Sequence, residues 1–225
     1  MKVLVIDVGG THVKLLVSGK RTPRKFDSGP DMTPQRMVKN VLEATKDWQY
    51  DRVSIGYPGP TVHDHPILEP HNLGKGWVGF DFKRAFKKPV RLINDAAMQA
   101  LGSYRGGRML FLGLGTGLGS AMIVDGVLEP LELAHLPYKN GCTYEEYLGI
   151  AGLKKLGKNK WRKAVIDVLT RLEQALRMDY VVLGGGNAKL MKKLPKTVSL
   201  GSNDNAFKGG FRLWKQPATK DQKKC

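Results

Sequence analysis

Two glycine-rich turns, about a hundred residues apart, carry the residue types that phosphoryl transfer requires. They lie in the runs Asp7-Val8-Gly9-Gly10-Thr11-His12-Val13-Lys14 and Leu114-Gly115-Thr116-Gly117-Leu118-Gly119. Glycine allows a tight turn and leaves backbone N–H groups open to the oxygens of a phosphate chain. In the first turn, the Asp7 carboxylate can hold Mg²⁺ directly or through water, while Thr11 and Lys14 can contact phosphate oxygens. The alternative is a plain hairpin in which Asp7 only stabilises the turn.

The elements that must position these turns are pairs of apolar strands. Apolar runs enter and leave each turn, over Lys2–Val8 and Val13–Ser18 in the first copy and within Met109–Val124 in the second. The first turn is not a Walker loop, because its spacing to lysine is different and no helix follows it. The two copies predict a duplicated fold that holds a phosphate donor between its halves.

The rest of the chain alternates apolar runs with helical periodicity, which indicates the α/β class. Among the expected elements is a loop over Thr61–Val78. Helices are expected over Tyr144–Leu153, Trp161–Leu176, Asn187–Lys193 and Asn203–Phe211.

Asn94 and Asp95 stand where a predicted core strand ends and a helix begins. In open α/β sheets, ligands bind at the carboxyl ends of strands. A carboxylate at this position could accept a proton from a substrate hydroxyl as that oxygen attacks phosphorus. Alternatively, Asp95 only caps the helix that follows.

Glu132 and His135 follow the second turn by one short strand. A carboxylate and an imidazole close together can hold the vicinal hydroxyls of a sugar. They could also ligate a metal, but a zinc site needs about four good ligands and Cys142 is the only thiol nearby. We therefore expect no metal at His135, and a structural histidine remains an alternative.

Gly184, Gly185 and Gly186 stand at the junction of a predicted strand with the helix expected over Asn187–Lys193. Such a junction can receive a pyrophosphate at the helix N-terminus, or an adenine ring. It can equally be a tight turn and nothing more.

The charge balance points to anionic partners. The 225 residues hold 37 lysines and arginines against 20 acidic residues, a formal net charge of +17. A surface of this kind attracts polyphosphate, nucleic acid or an anionic membrane, although it can also be a lysine-rich, solubilising surface. The basic residues are spread along the chain, and a specific nucleic-acid interaction is not expected.

Other bulk features indicate a cytoplasmic protein. No apolar run approaches the roughly 18 residues that a membrane span needs, and the sequence begins directly with a predicted strand, so we expect neither a membrane anchor nor a leader segment. The two cysteines, Cys142 and Cys225, are far apart, which is typical of a reducing compartment.

Six motifs occur in an order that resembles the ROK family of sugar kinases, over nearly the whole chain. They are Asp7-x-Gly-Gly-Thr-x-x-Lys14, Gly56-x-Pro58-Gly59, Asn94-Asp95, Leu114-Gly-Thr-Gly-x-Gly119, Glu132-x-x-His135 and Leu183-Gly-Gly-Gly186. Within that family the chain is particularly similar to the polyphosphate glucokinases. The similarity is greatest over Leu112–Gly126 and at Asn72-Leu73 with Trp77 downstream.

The resemblance implies an actin-like (ribonuclease H-like) duplicated fold with two domains, 1–94 and 95–225, around a cleft, and it also implies a homodimer. The implied reaction moves a phosphoryl group from polyphosphate or ATP to the 6-hydroxyl of glucose with Mg²⁺, with Asp95 as catalytic base and Asp7 at the metal. The implied sugar contacts are Asn72, Asn94, Asp95, Glu132, His135 and Glu145. The implied phosphate contacts are Gly9, Gly10, Thr11, Lys14, Gly115, Thr116 and Gly117. A nucleotide, if used, would lie at Gly184, Gly185 and Gly186.

Departures from the family pattern bear on zinc and on the donor. Most ROK kinases carry a cysteine-rich zinc motif after the histidine, whereas here Cys142 alone remains, so no zinc is expected. The usual glycine before that histidine is Ala134 here. The region between Tyr147 and Tyr180 is short, which favours polyphosphate over ATP as donor. The alternatives are an ATP-dependent kinase for another hexose such as mannose, and a catalytically silent sugar- or polyphosphate-binding protein.

Overall fold

The computed structural model describes residues 1–202 and 204–215 and contains two five-stranded sheets, one in each of two structural units. The first unit comprises Met1–Asp95 and the segment that begins at Ala206, and the second comprises Ala96–Asn205. In both units, helices and strands occur in the same stretch of chain, so the α/β class is confirmed.

The first unit contains the strands β1 (Val3–Val8), β2 (His12–Val17), β3 (Arg24–Asp27), β4 (Arg52–Tyr57), β5 (Thr61–Val62), β6 (His65–Pro66) and β7 (Val90–Asn94). β5 and β6 pair with each other as a small hairpin, and the other five strands form a sheet of order β3-β2-β1-β4-β7. The first three strands pair antiparallel, whereas β1, β4 and β7 run parallel. The carboxyl ends of these three parallel strands therefore share one edge of the sheet.

Two helices complete this unit, α1 (Pro34–Ala44) and α2 (Phe82–Phe86). Thr33 caps α1 by accepting a hydrogen bond from Arg36 N at 3.3 Å. The prediction of a loop over Thr61–Val78 is wrong for its first residues, which form the β5–β6 hairpin. Asp64 at its tip has positive φ (66°), and its Oδ1 accepts a hydrogen bond from Leu92 N of β7 at 3.1 Å, which holds the hairpin on the sheet.

The second unit repeats this strand plan. Its strands are β8 (Arg108–Leu114), β9 (Leu118–Val124), β10 (Val127–Leu131), β11 (Tyr180–Gly184) and β12 (Val198–Leu200). The sheet order is β10-β9-β8-β11-β12, again with three antiparallel strands followed by two that are parallel to the central strand. The predicted duplication is thus visible in the topology of the two sheets.

Several helices of the second half differ from expectation. They are α3 (Asp95–Ser103), α4 (Tyr144–Leu148) and α5 (Ile150–Leu176). α4 ends early because Gly149 is extended (φ −70°, ψ −179°). α5 begins at Ile150 and continues through a non-helical Gly157 (φ 71°), whereas the sequence predicted one helix up to Leu153 and a second from Trp161.

The helix expected over Asn187–Lys193 is wrong: only a 3₁₀ turn, Ala188–Leu190, forms. The Leu190 carbonyl accepts a hydrogen bond from Arg162 Nε at 2.6 Å, a tertiary contact that takes the place of a further helical turn.

The expected second domain, 95–225, is wrong at its C-terminal end. The last helix, α6 (Asn205–Arg212), lies almost entirely in the first unit. It belongs to the first unit, because the buried Ser54 hydroxyl of β4 donates to Gly210 O at 2.7 Å and accepts from Trp214 Nε1 at 2.9 Å. The guanidinium groups of Arg52 and Arg91 lie 4.7 and 4.8 Å from the centre of the Trp214 ring. Residues 216–225 of that expected domain, and Asn203 of the expected last helix, lie outside the described residues.

Within the described ranges, we found no helix that combines the length and the apolar character of a membrane span.

Candidate active site

The first glycine turn joins β1 to β2 with its predicted phosphate contacts at the tip. Gly9 N donates to His12 O at 3.0 Å, which closes the turn, and Ser28 N donates to Thr11 O at 2.9 Å, which ties the turn to β3. Gly9 is half-buried, whereas Gly10 and Thr11 are exposed. The backbone at the tip is therefore positioned on two sides and remains accessible to an anionic ligand.

Asp7 and Lys14 are cross-strand partners at the base of this turn. Lys14 Nζ lies 3.4 Å from Asp7 Oδ2, and the Asp7 side chain is 14% exposed against 45% for Lys14. Burial raises the pKa of Asp7 above its ordinary value, and the Lys14 ammonium opposes this shift. The pair thus places an acidic oxygen ligand and a cation side by side, as a phosphate–Mg²⁺ site requires.

Asn72 lies directly beside the first turn. A Cβ atom at Gly10 would lie 3.2 Å from Asn72 Cβ, so a residue larger than glycine would crowd the asparagine. The loop that carries Asn72 is closed by Glu69, whose carboxylate accepts hydrogen bonds from the backbone N–H groups of three consecutive residues. The donors are Gly76 (3.0 Å), Trp77 (3.1 Å) and Val78 (3.2 Å).

Asn94 and Asp95 lie at the same sheet edge as Asp7. Across the adjacent parallel strands β1, β4 and β7, Asp7 is paired with Gly56 and Gly56 with Ile93, so Asn94 follows two strands away, about 10 Å across the sheet. Asn94 Nδ2 donates to Gly59 O at 3.1 Å, which fixes the amide. Asp95 is half-buried as the first residue of α3.

The second glycine turn joins β8 to β9 in the other unit. Gly115 N donates to Gly117 O at 3.1 Å, and the Glu145 carboxylate accepts a hydrogen bond from Leu118 N at 3.0 Å. A Cβ atom at Gly117 would lie 2.2 Å from Glu145 Oε2, so the carboxylate needs the glycine. The structure thus places Glu145, a predicted sugar contact, against the turn predicted to hold phosphate.

The triple glycine lies beside that second turn. Gly185 has positive φ (79°), and a Cβ there would lie 2.5 Å from Leu114 O. Asn187 N donates to Leu114 O at 2.9 Å, and Asn187 Nδ2 donates to Gly115 O at 3.1 Å. Because only a 3₁₀ turn follows, the expected helix N-terminus for a pyrophosphate is absent at this junction. The two glycine turns of this unit are instead joined through one asparagine.

Glu132 and His135 flank a short 3₁₀ turn (Leu133–His135) after β10. Their side chains are 61% and 78% exposed, and His135 Nε2 lies 4.0 Å from Glu132 Oε2. Ser120 Oγ accepts a hydrogen bond from Leu133 N at 3.1 Å and donates to Leu131 O at 2.7 Å, which holds the segment against β9. The pair is accessible and close enough to share one ligand hydroxyl.

Across residues 1–202 and 204–215, no group of three or more His, Cys, Asp or Glu side chains is arranged to hold a metal ion. Asp7 is the acid that best fits Mg²⁺, since this ion typically takes one or two protein carboxylates and completes its shell with phosphate oxygens and water. The carboxylate stands at the base of the phosphate-accessible turn, with Lys14 favouring its ionised form.

Sequence reasoning missed Glu69 and Asn187, which organise two of the loops at the candidate site. Glu69 stands three residues before Asn72 and is followed by Gly74 and Gly76, so an acid next to a glycine-rich loop was the available signal. Asn187 directly follows the triple glycine, where a side-chain amide can bond to neighbouring backbone groups.

The chain is similar to known proteins over most of its length. The model of the ROK family matches residues 3–129, more than half of the chain. The polyphosphate glucokinase of Mycobacterium tuberculosis strain H37Rv is 29% identical over 223 residues, covering 88% of this chain and 81% of that protein. The glucokinase of Pyrobaculum calidifontis is 27% identical over 176 residues, covering 68% of this chain and 58% of that protein.

Solved structures show the same fold. The inorganic polyphosphate/ATP-glucomannokinase of Arthrobacter sp. strain KM superposes with a TM-score of 0.78 at 22% identity, covering 93% of this chain and 96% of that one. A ROK family glucokinase from Streptomyces griseus, solved with glucose and AMPPNP, gives a TM-score of 0.74 at 17% identity, covering 95% of this chain and 99% of that one. The chain belongs to the ROK family.

Proposed function

We propose that the chain is a glucokinase that transfers a phosphoryl group from inorganic polyphosphate or ATP to the 6-hydroxyl of glucose. The observation that carries the proposal is the shared sheet edge of the first unit, where Asp7, paired with Lys14, and Asn94–Asp95 lie at the ends of the parallel strands β1 and β7, with β4 between them. Membership of the ROK family and the names of the relatives support the same reaction.

In this proposal Asp95 is the catalytic base. Its carboxylate takes the proton of the sugar 6-hydroxyl while that oxygen attacks the terminal phosphorus in line and the remaining phosphate chain leaves. Asn94, fixed by its bond to Gly59 O, positions the sugar beside the base. A position at the start of α3 favours the ionised carboxylate, because the N-terminus of a helix stabilises negative charge.

The two glycine turns bind the donor. Backbone N–H groups of Gly9, Gly10 and Thr11, with the Lys14 ammonium, neutralise charge on the transferred group. Gly115, Thr116 and Gly117 do the same for the leaving phosphates from the second unit. Asp7 would hold Mg²⁺, which when bound neutralises charge on the phosphate oxygens.

The sugar contacts in this proposal come from both units. Asn72 and Asn94 belong to the first, while Glu132, His135 and Glu145 belong to the second. An actin-like pair of domains that closes over the sugar would bring these sets together and exclude water, which limits hydrolysis of the donor. We also propose that the enzyme is a cytoplasmic homodimer.

Polyphosphate is the donor that best fits the charge of the chain, +17. ATP-dependent transfer to another hexose such as mannose is the second candidate, supported by the fold shared with the Arthrobacter glucomannokinase. In that case the Gly184–Gly186 turn, joined to the second phosphate turn through Asn187, would contact the nucleotide.

The deciding experiment measures glucose 6-phosphate formed with Mg²⁺ and either long-chain polyphosphate or ATP at matched phosphate concentration. We expect product with polyphosphate. Product with ATP but not with polyphosphate would support the kinase activity and reject polyphosphate as the donor. Product from mannose but not from glucose would favour the second candidate. Glucose binding without product from either donor and either sugar would indicate a silent binding protein and overturn the proposal.

A further inference from the structure

A basic groove runs along α4 and the first half of α5 in the second unit. It consists of two adjoining cavities of about 230 and 400 Å³ that share Tyr147 and Leu156. We call it the basic groove and define it by the lysines and tyrosines that line it, Tyr138, Lys139, Tyr147, Lys155, Lys160 and Lys163. None of these residues belongs to the predicted site.

The charge in this groove is unbalanced. Only two carboxylates line it, and both are engaged: Glu146 accepts from Thr143 N at 2.7 Å, and Asp167 accepts from the Tyr138 hydroxyl at 2.7 Å. Asp167 also pairs with Lys139 at 3.2 Å and with Arg171 at 3.0 Å. In contrast, the other three lining lysines are exposed and form no ion pair among the described residues. They are Lys155, Lys160 and Lys163.

The groove adjoins the second glycine turn. Ile150 N, at the start of α5, donates to Thr116 O at 3.0 Å, and Glu145 of α4 accepts from Leu118 N. The residues that come next in sequence, Glu146 and Ala151, already line the groove. The turn and the lysine-lined surface are therefore connected through α4 and the start of α5 within the same unit.

The aromatic residues of the groove argue against a nucleic acid. The Tyr138 and Tyr147 rings pack edge to face at 4.8 Å, and the Lys139 ammonium and the Arg171 guanidinium lie 4.7 and 5.6 Å from the centre of the Tyr138 ring. Bases of single strands bind by stacking on open aromatic faces, and the Tyr138 ring is already in contact with these groups. A phosphate chain needs only cations and hydrogen-bond donors.

We propose that the basic groove binds the distal part of a linear polyphosphate chain whose leaving phosphates lie at the second glycine turn. The inference rests on the proposed function and identifies where a long donor gains affinity that a short one lacks. Lysine suits this role, because its ammonium is a flexible point charge that follows an irregular anion.

The test is the triple variant Lys155→Gln, Lys160→Gln and Lys163→Gln. We expect its KM for long-chain polyphosphate to rise about 10-fold and its salt dependence to weaken. Its KM values for tripolyphosphate, ATP and glucose should stay within about 2-fold. The matched control replaces three exposed lysines of the first unit by glutamine, with the same loss of charge: Lys39, Lys83 and Lys87. An unchanged KM for polyphosphate in the first triple variant, or an equal rise in the control, would overturn the proposal.

Binding of long-chain polyphosphate, measured directly by calorimetry, separates this inference from the choice of donor. If the enzyme uses ATP alone, weaker polyphosphate binding by the groove variant than by the control still supports the groove. Equal binding by both variants, or no binding by the native chain, rejects it. Tighter groove-dependent binding of single-stranded RNA of equal charge would also reject it, in favour of a nucleic-acid surface.

Discussion

Lys14 Nζ lies 3.4 Å from Asp7 Oδ2 across the first two strands of the chain, at the base of the first glycine turn. The acid is mostly enclosed and the lysine is half exposed, so the lysine compensates only part of the cost of burying the carboxylate. This relationship indicates that the fold holds a carboxyl group in a place where a side chain that cannot ionise would be more stable.

Asp7→Asn should abolish most activity and raise stability at neutral pH. We expect kcat to fall about 100-fold or more, because the anionic oxygen at the phosphate turn is lost. Burial raises the Asp7 pKa in the folded state, so the native protein loses stability as pH rises through that value. The Tm of the variant should therefore exceed that of the native protein at pH 7, and the difference should vanish below about pH 4. A variant with lower Tm at pH 7 would contradict this account.

Asp95→Asn tests the base. Turnover should fall by about 10²–10⁴-fold, since the amide cannot accept the hydroxyl proton. Glucose affinity, measured by calorimetry, should change little because the side chain keeps its shape. Retained turnover would remove Asp95 from the role of base.

Glu69→Gln should weaken sugar binding without loss of chemistry. The amide keeps one acceptor oxygen for three backbone donors, so the loop that presents Asn72 becomes less ordered. We expect the KM for glucose to rise about 5- to 10-fold while kcat and the KM for the donor change less than about 2-fold. Glu43→Gln, at an exposed pair with Lys46, is the matched control and should have no effect. A fall in kcat alone would show that Glu69 does not act through the sugar loop.

Ser54→Ala should detach α6 from the first sheet. The variant leaves the Gly210 carbonyl and the Trp214 indole N–H without their buried partner, at a cost of about 1–3 kcal/mol. Denaturant unfolding measures the loss. Thr170→Ala is the control, because that exposed hydroxyl bonds only to Ile166 O of its own helix, and it should cost less than about 0.5 kcal/mol. Equal losses in both variants would argue against α6 as part of the first unit.

Local patterns predicted much of the fold. Apolar runs on both sides of the first glycine turn gave β1 and β2 to within one residue, and the run Met109–Val124 gave the outer ends of β8 and β9 to within one residue. These features depend on neighbours in the chain, so they can be read from the sequence.

Long-range contacts account for what the sequence did not predict. Ser54 and Gly210 are 156 residues apart, and no local pattern assigns α6 to the first sheet. In the segment where a helix was expected, the Leu190 carbonyl accepts a hydrogen bond from Arg162, 28 residues away. At the candidate site, the residue types and spacing of Asp7, Asn94 and Asp95 were enough to predict them as site residues. Glu69 and Asn187 could not be predicted in this way, because their hydrogen bonds to the backbone form only once the loops have folded.

The return of α6 to β4 also sets an order of events during protein synthesis. The second unit, Ala96–Asn205, is an uninterrupted stretch of chain that can be completed on the ribosome. The first unit must wait for Gly210 and Trp214, although residues 1–95 of it are made before the second unit. Nascent chains generally fold from the N-terminal end, but here the later-made unit can be complete first. Until Gly210 and Trp214 have been made, the unit that carries Asp7 and Asp95 lacks its closing helix.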